Sequence, residues 1–255
     1  MNRNTKYTYG LAKGCALIEE TLALLSIYKD GMSKEALADF VHESNFLSRC
    51  TAKRSEDIVK LVFYPRFMKS NPNVPVWLRT VREKGLMLSQ FKQLLLLYCA
   101  RENAVVYDYI VHNLNELKKS NAEKLPKNDT LYFIESIVEN GQAQWGEPAR
   151  KRNSGYVKSV LMDFDLTNKK DEILPFEISD FTVLYLMHEL HFAGLSDAAI
   201  WNHEDWQLFG LDKYSTLEHI MQLNIKGGYI AQNTGDLITI SWNFQTMEDF
   251  INGAL

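Results

Sequence analysis

The sequence holds no apolar run that approaches the roughly 20 residues a bilayer crossing demands. The longest, Leu94–Ala100, stops far short. A signal-peptide pattern is missing too: Met1-Asn-Arg-Asn-Thr-Lys6 leads into amphipathic sequence with no apolar block and no small-residue cleavage site. Together these absences predict a cytoplasmic protein with no membrane association. Cysteine is scarce. Cys15, Cys50 and Cys99 are odd in number, far apart, and form no Cys-x-x-Cys pair. That excludes a disulfide framework and a thiolate zinc site, and predicts buried free thiols in a reducing compartment. Gly-x-Ser-x-Gly and paired-carboxylate motifs are absent, as is any motif for S-adenosylmethionine, and Gly227-Gly228 lack the Lys-Ser/Thr of a phosphate loop. His188-Glu-Leu-His191 has i, i+3 histidines rather than the i, i+4 pair of zinc peptidases, and His203-Glu-Asp205 fits a metal no better. The expectation is a protein without metal, cofactor or catalysis, one that works by binding.

One sign of charge is nearly missing from the end of the chain. Residues 171–255 hold 2 Lys/Arg against 13 Asp/Glu, a net of −11, whereas residues 1–170 hold 26 against 19, a net of +7. The overall charge of −4 hides this division. Two surfaces of opposite sign predict two kinds of partner.

What is present is helical periodicity. Leu11, Cys15, Ile18, Leu22 and Leu25 share one helix face, which predicts a helix ending near Gly31. Ser33 and Thr51 are placed to cap the next two helices, and Pro65 to stop or kink the second of them. Lys69–Pro75 reads as a linker or long loop. Further helices are predicted around Trp77–Val81, Phe91–Tyr98, Val105–Leu114 (where Val105-Val106 leaves a strand open), Leu131–Val138 and Val157–Phe164. Asp129 would cap the Leu131 helix, and Arg150-Lys151-Arg152 would form a basic loop before the last one. Toward the end come Phe181–Leu190, a helix capped by Ser196, and a third capped by Ser215. Then Tyr229–Gln232 and the alternating Leu237–Phe244 flank a turn at Asn233–Asp236.

The expected fold is mainly α, in three regions. Residues 1–70 form a helix-turn-helix-like region, 71–170 a central helical region, and 171–255 an acidic winged-helix-like module bearing one β-hairpin.

The strongest functional signal is basic clustering. Between Arg49 and Lys92 lie ten cations and three acids, a net of +7. Arg49, Lys53, Arg54, Lys60, Arg66, Arg79, Arg82 and Lys84 are the candidate phosphate contacts there, with Arg150, Lys151, Arg152 and Lys158 as a second basic element. A solvated helix face is the competing reading of the first cluster, and a merely solvated loop of the second. The third helix of the C-terminal module and its wing carry only Lys213 and Lys226 against Asp212, Glu218 and Asp236. DNA repels such a recognition helix, so the module is read as a protein-contact or packing unit, with Trp242 and Phe244 filling core.

The stretches Glu43–Ser55, Phe63-Tyr-Pro-Arg-Phe67 and Gln93–Asn103, with the closing Leu217–Leu255 region, resemble the BrxA family of bacterial BREX phage-defence systems. The resemblance implies a small helical protein that binds double-stranded DNA without enzymatic activity and works with other defence-system proteins. It also implies a helical core like that of the antitermination factor NusB, which keeps RNA open as a ligand. Arg54 and Arg66 lie within the matched stretches. Two rival readings are a protein–protein assembly scaffold of the defence complex and a helix-turn-helix transcription regulator, which would be dimeric and operator-specific.

Overall fold

The computed structural model describes residues 3–48, 50–235 and 237–255; Arg49 among the expected phosphate contacts and Asp236 of the expected turn lie outside them. The fold is mainly helical with one two-stranded antiparallel hairpin near the end of the chain. The chain divides into two compact units, one of residues 3–79 and 95–176, the other of residues 80–94 and 177–255.

In the first unit, the single helix expected from Leu11 to Leu25 is two pieces. A 3₁₀ turn at Gly10–Lys13 precedes α1 (Ile18–Ile27), and Leu17 between them is left-handed at φ 50°. The apolar spacing survives the break, so periodicity alone does not reveal it. Ser33 caps α2 (Lys34–Ser44) by accepting from Ala36 N–H, and Thr51 caps α3 (Ala52–Ile58) by accepting from Arg54 N–H. Pro65 does not end that helix. The chain continues in a wider π register over Val59–Met68, closed by Lys69 N–H on the Tyr64 carbonyl five residues back. A wide turn tolerates a residue with no N–H to donate.

α4 (Val74–Glu83) and α5 (Leu88–Glu102) follow, and the division between the units falls within each. α6 (Ala104–Asp108), a second π stretch at Tyr109–Leu114 and α7 (Asn115–Lys119) form one helical run, so the strand option at Val105-Val106 is not taken. α8 (Asp129–Glu139) starts after a left-handed Asn128; Asp129 does not cap it but accepts from the Tyr109 hydroxyl at 2.6 Å. α9 is Glu147–Asp163. The core is lined by Leu24, Tyr28, Phe63, Phe67, Tyr98 and Val160, with Tyr28, Phe63, Phe67 and Tyr98 meeting ring to ring.

In the second unit, α10 (Asp180–Phe192) is buried on every face from Phe181 to Leu190. Such a helix must be surrounded, and α11 (Asp197–Trp201), α12 (Lys213–Gln222) and α13 (Met247–Ala254) all pack on it. Ser196 caps α11 as expected, but Asp212 rather than Ser215 caps α12; Ser215 sits three residues in and completes a capping box. β1 (Tyr229–Thr234) pairs with β2 (Leu237–Trp242), Ala231 facing Ile240. Gly228, at φ +74° against the Phe244 ring, has no room for a side chain.

Candidate nucleic-acid interface

The break before α1 governs one arginine. Three successive carbonyls at Gly14, Cys15 and Ala16 lie outside any helix, and Arg66, on the π segment, donates to them at 2.9, 2.6 and 3.1 Å. Its side chain is buried. A guanidinium has five donors and suits such a fork. Arg66 is thus an internal clamp and not a phosphate contact in this conformation, which corrects the expectation drawn from its charge. Arg79 is similarly engaged: it donates to the Tyr28 carbonyl at the C-terminal end of α1, where a cation also meets the negative end of the helix dipole.

Four of the remaining cations are paired. Lys53 reaches Glu56 at 3.1 Å and Asp57 at 3.5 Å, while Lys60 reaches the other Glu56 oxygen at 2.6 Å. Hydrogen bonds from Lys60 and Lys53 hold the Glu56 carboxyl down to about 2. Lys151 pairs with Glu147 at 2.7 Å, and Lys158 with Asp171 at 2.8 Å. Arg82 and Lys84 belong to the second unit, bonded to the carbonyls of Leu86 at 2.6 Å and Asn252 at 3.1 Å.

Arg150-Lys151-Arg152 is not a loop. All three lie in α9, which Pro148 opens and in which Ser154 binds the Thr130 hydroxyl at 2.8 Å. Arg152 is exposed, whereas Arg150 is half-buried with its Nε enclosed.

What the structure does bring together is Lys53, Arg54 and Lys60 with a residue the sequence reading missed. Arg54 donates to the Lys13 carbonyl at 2.6 Å, which places exposed Lys13 beside the start of α3. Lys13 is 41 positions before Arg54 and outside the charge cluster, so no local pattern pointed to it.

His188 and His191 of the second unit are packing residues. His188 is fully buried, stacked on Phe250 at 4.0 Å, with burial pushing it down to about 4. His191 stacks on Trp242 at 4.1 Å, and the Trp242 ring N–H reaches Asp197 at 3.4 Å. All three thiols are free; Cys99 is buried, but Cys15 and Cys50 are only half-buried. Burial pushes the Cys15 thiol up to about 11. Among the described residues no helix is long and apolar enough to cross a membrane.

The BrxA family model matches residues 5–189, which takes in all of the cations above. Among solved structures, a crystal structure of an uncharacterised protein from Magnetospirillum magneticum is similar. It has a TM-score of 0.62 and 13% identity, over 81% of this chain and 100% of that one. At that identity the likeness speaks for the fold alone. A comparison with curated proteins finds no match.

Proposed function

The chain belongs to the BrxA family of BREX phage-defence components, and from that premise we propose that it serves defence by holding double-stranded DNA through its phosphates, without catalysis. The observation that carries this reading is the Arg54–Lys13 contact, which gathers four cations, Lys13, Lys53, Arg54 and Lys60, on the first unit. Phosphates attract such a group regardless of base sequence, and each cation that engages one releases a counterion. Glu56 holds two of the four in reserve: a phosphate has to replace its carboxylate to take Lys53 and Lys60. Arg152 is a further exposed cation of the same unit.

The helices α2 and α3 with their short connection support a helix-turn-helix-like reading of the N-terminal region. The order α10, α11, α12, hairpin supports a winged-helix-like reading of the end. In this account the first region meets DNA and the acidic second unit does not. Replacing Lys53 and Arg54 together by glutamate is expected to weaken duplex binding at least ~10-fold at low salt in a chain that still folds, with a lowered melting temperature from the lost Arg54–Lys13 bond and the new carboxylates beside Glu56 and Asp57. Unchanged affinity in a folded double variant sinks the assignment and favours an assembly role.

A further inference from the structure

In α12 the apolar residues are distributed the wrong way round for a helix that only packs on its own unit. Its buried positions are Thr216 and Ile220, one of them polar. Its exposed positions include Tyr214, 79% accessible, and Met221, 37% accessible, with Glu218 exposed between them. Positions 214, 218 and 221 are spaced 4 and 3, so they form one stripe along the helix. Just past the helix end, Ile225 is 74% accessible.

Ile225 is also held in a costly conformation. A β-branched residue at φ +71° is strained. The surroundings enforce it: Ile225 N–H bonds the Tyr229 carbonyl at 2.9 Å, and the Asn224 side-chain amide pairs with both backbone groups of Ala231 at 2.9 and 3.1 Å. A rigid frame thus keeps an apolar side chain in water, where a partner gains more from it than water loses.

The chemistry of the occupant follows from charge and from which backbone is available. The second unit carries 5 Lys/Arg against 12 Asp/Glu. The one lysine of α12, Lys213, lies over the Trp201 ring at 4.5 Å. Nucleic acid, and a second copy of this unit, are both repelled. The hairpin does not take an added strand at its centre, since Asn224 occupies the β1 edge at Ala231 and Asp197 accepts from Ile240 N–H on the β2 edge at 2.8 Å. A helix laid against a helix is the remaining mode.

We propose that the Tyr214–Glu218–Met221 face of α12, extended by Ile225, docks an amphipathic helix of a basic partner protein, whose apolar side covers the stripe and whose Lys or Arg meets Glu218. The third helix of this unit is then a protein-recognition helix in the position where a DNA reader has its basic one. This goes beyond the DNA reading above and stands on different residues.

The test uses the full chain and a synthetic basic helix of five turns, ~18 residues, with leucines along one face and lysines flanking them. A second peptide has the same composition scrambled to destroy the stripe. Binding by fluorescence anisotropy is measured for the wild type and for Glu218→Lys and Met221→Asp, both at exposed positions, so that folding survives. The expected result is that the striped peptide binds, that the scrambled one binds at least ~10-fold more weakly, and that each variant loses a comparable factor, the scale of one lost interface anchor. Duplex-DNA affinity stays unchanged in both variants. Equal binding of the two peptides, equal binding by the variants, or no binding of the striped peptide each overturns the proposal.

Discussion

The two units use charged side chains in opposite ways. In the first, arginines compensate for broken backbone: Arg66 takes the carbonyls of residues 14–16 and Arg79 the end of α1. In the second, the interior is mainly aromatic, with His188 stacked on Phe250 and Phe181 beside it, and its buried charges are the carboxylates Glu189 and Asp205 rather than arginines. The first unit therefore offers fewer surface cations than its composition suggests. The second offers apolar surface where composition suggests only acid. Counting charges along a chain identifies a bias; which charges reach a partner is decided by the carbonyls and carboxylates the fold leaves nearby.

The contrast can be broken most forcefully from the aromatic side. Phe250→Ala empties the fully buried slot between His188 and Phe181, and large-to-small changes of this kind cost about 3–5 kcal/mol. Urea unfolding followed by tryptophan fluorescence, with Trp201, Trp206 and Trp242 all in the second unit, is expected to show that loss. The same unit should weaken in acid. His188 is held near 4 against an ordinary 6.5, so below pH 6.5 the unfolded chain takes up a proton that the folded one refuses. Its contribution is complete above pH 6.5 and lost as pH falls toward 4, on the order of 3 kcal/mol. His188→Phe should flatten that part of the pH profile.

In the first unit, Arg66→Met leaves three carbonyls without their donor and is expected to cost about 2–3 kcal/mol in denaturant titrations, an effect no surface cation should match. Smaller and of opposite sign is Glu56→Gln. Freeing Lys60, and leaving Lys53 only its longer pair with Asp57, should raise duplex affinity a few-fold with little change in stability, read by anisotropy at low salt. Lys151→Ala, which removes an exposed pair with Glu147, should leave the melting temperature where it was.

Much of this fold was legible because it depends on local signals. Ser33, Thr51 and Ser196 cap where their side-chain chemistry predicts, and the alternation of Ile238, Ile240 and Trp242 marks a strand with one buried face. The failures are nonlocal. Nothing near Leu17 announces a break, because the apolar spacing on either side stays in phase. Arg150–Arg152 reads as a loop beside Asn153 and Ser154, yet Pro148 at the start of α9, the buried Val157, Val160 and Leu161 and the Ser154–Thr130 bond hold the stretch helical. Arg66 looked like a phosphate contact because its partners lie about 50 residues earlier. Lys13 was overlooked for the same reason. The polar side of the site is decided by contacts that a periodicity reading does not contain.

Phosphate-led DNA binding is tested most directly by titrating the full chain into two labelled duplexes of unrelated sequence across a series of salt concentrations. Phosphate-led binding gives nearly equal affinities and a steep fall with salt, a log–log slope of about −3 to −4 for three to four engaged cations. Absence of binding at low salt, or a strong preference for one of the two sequences, would contradict it.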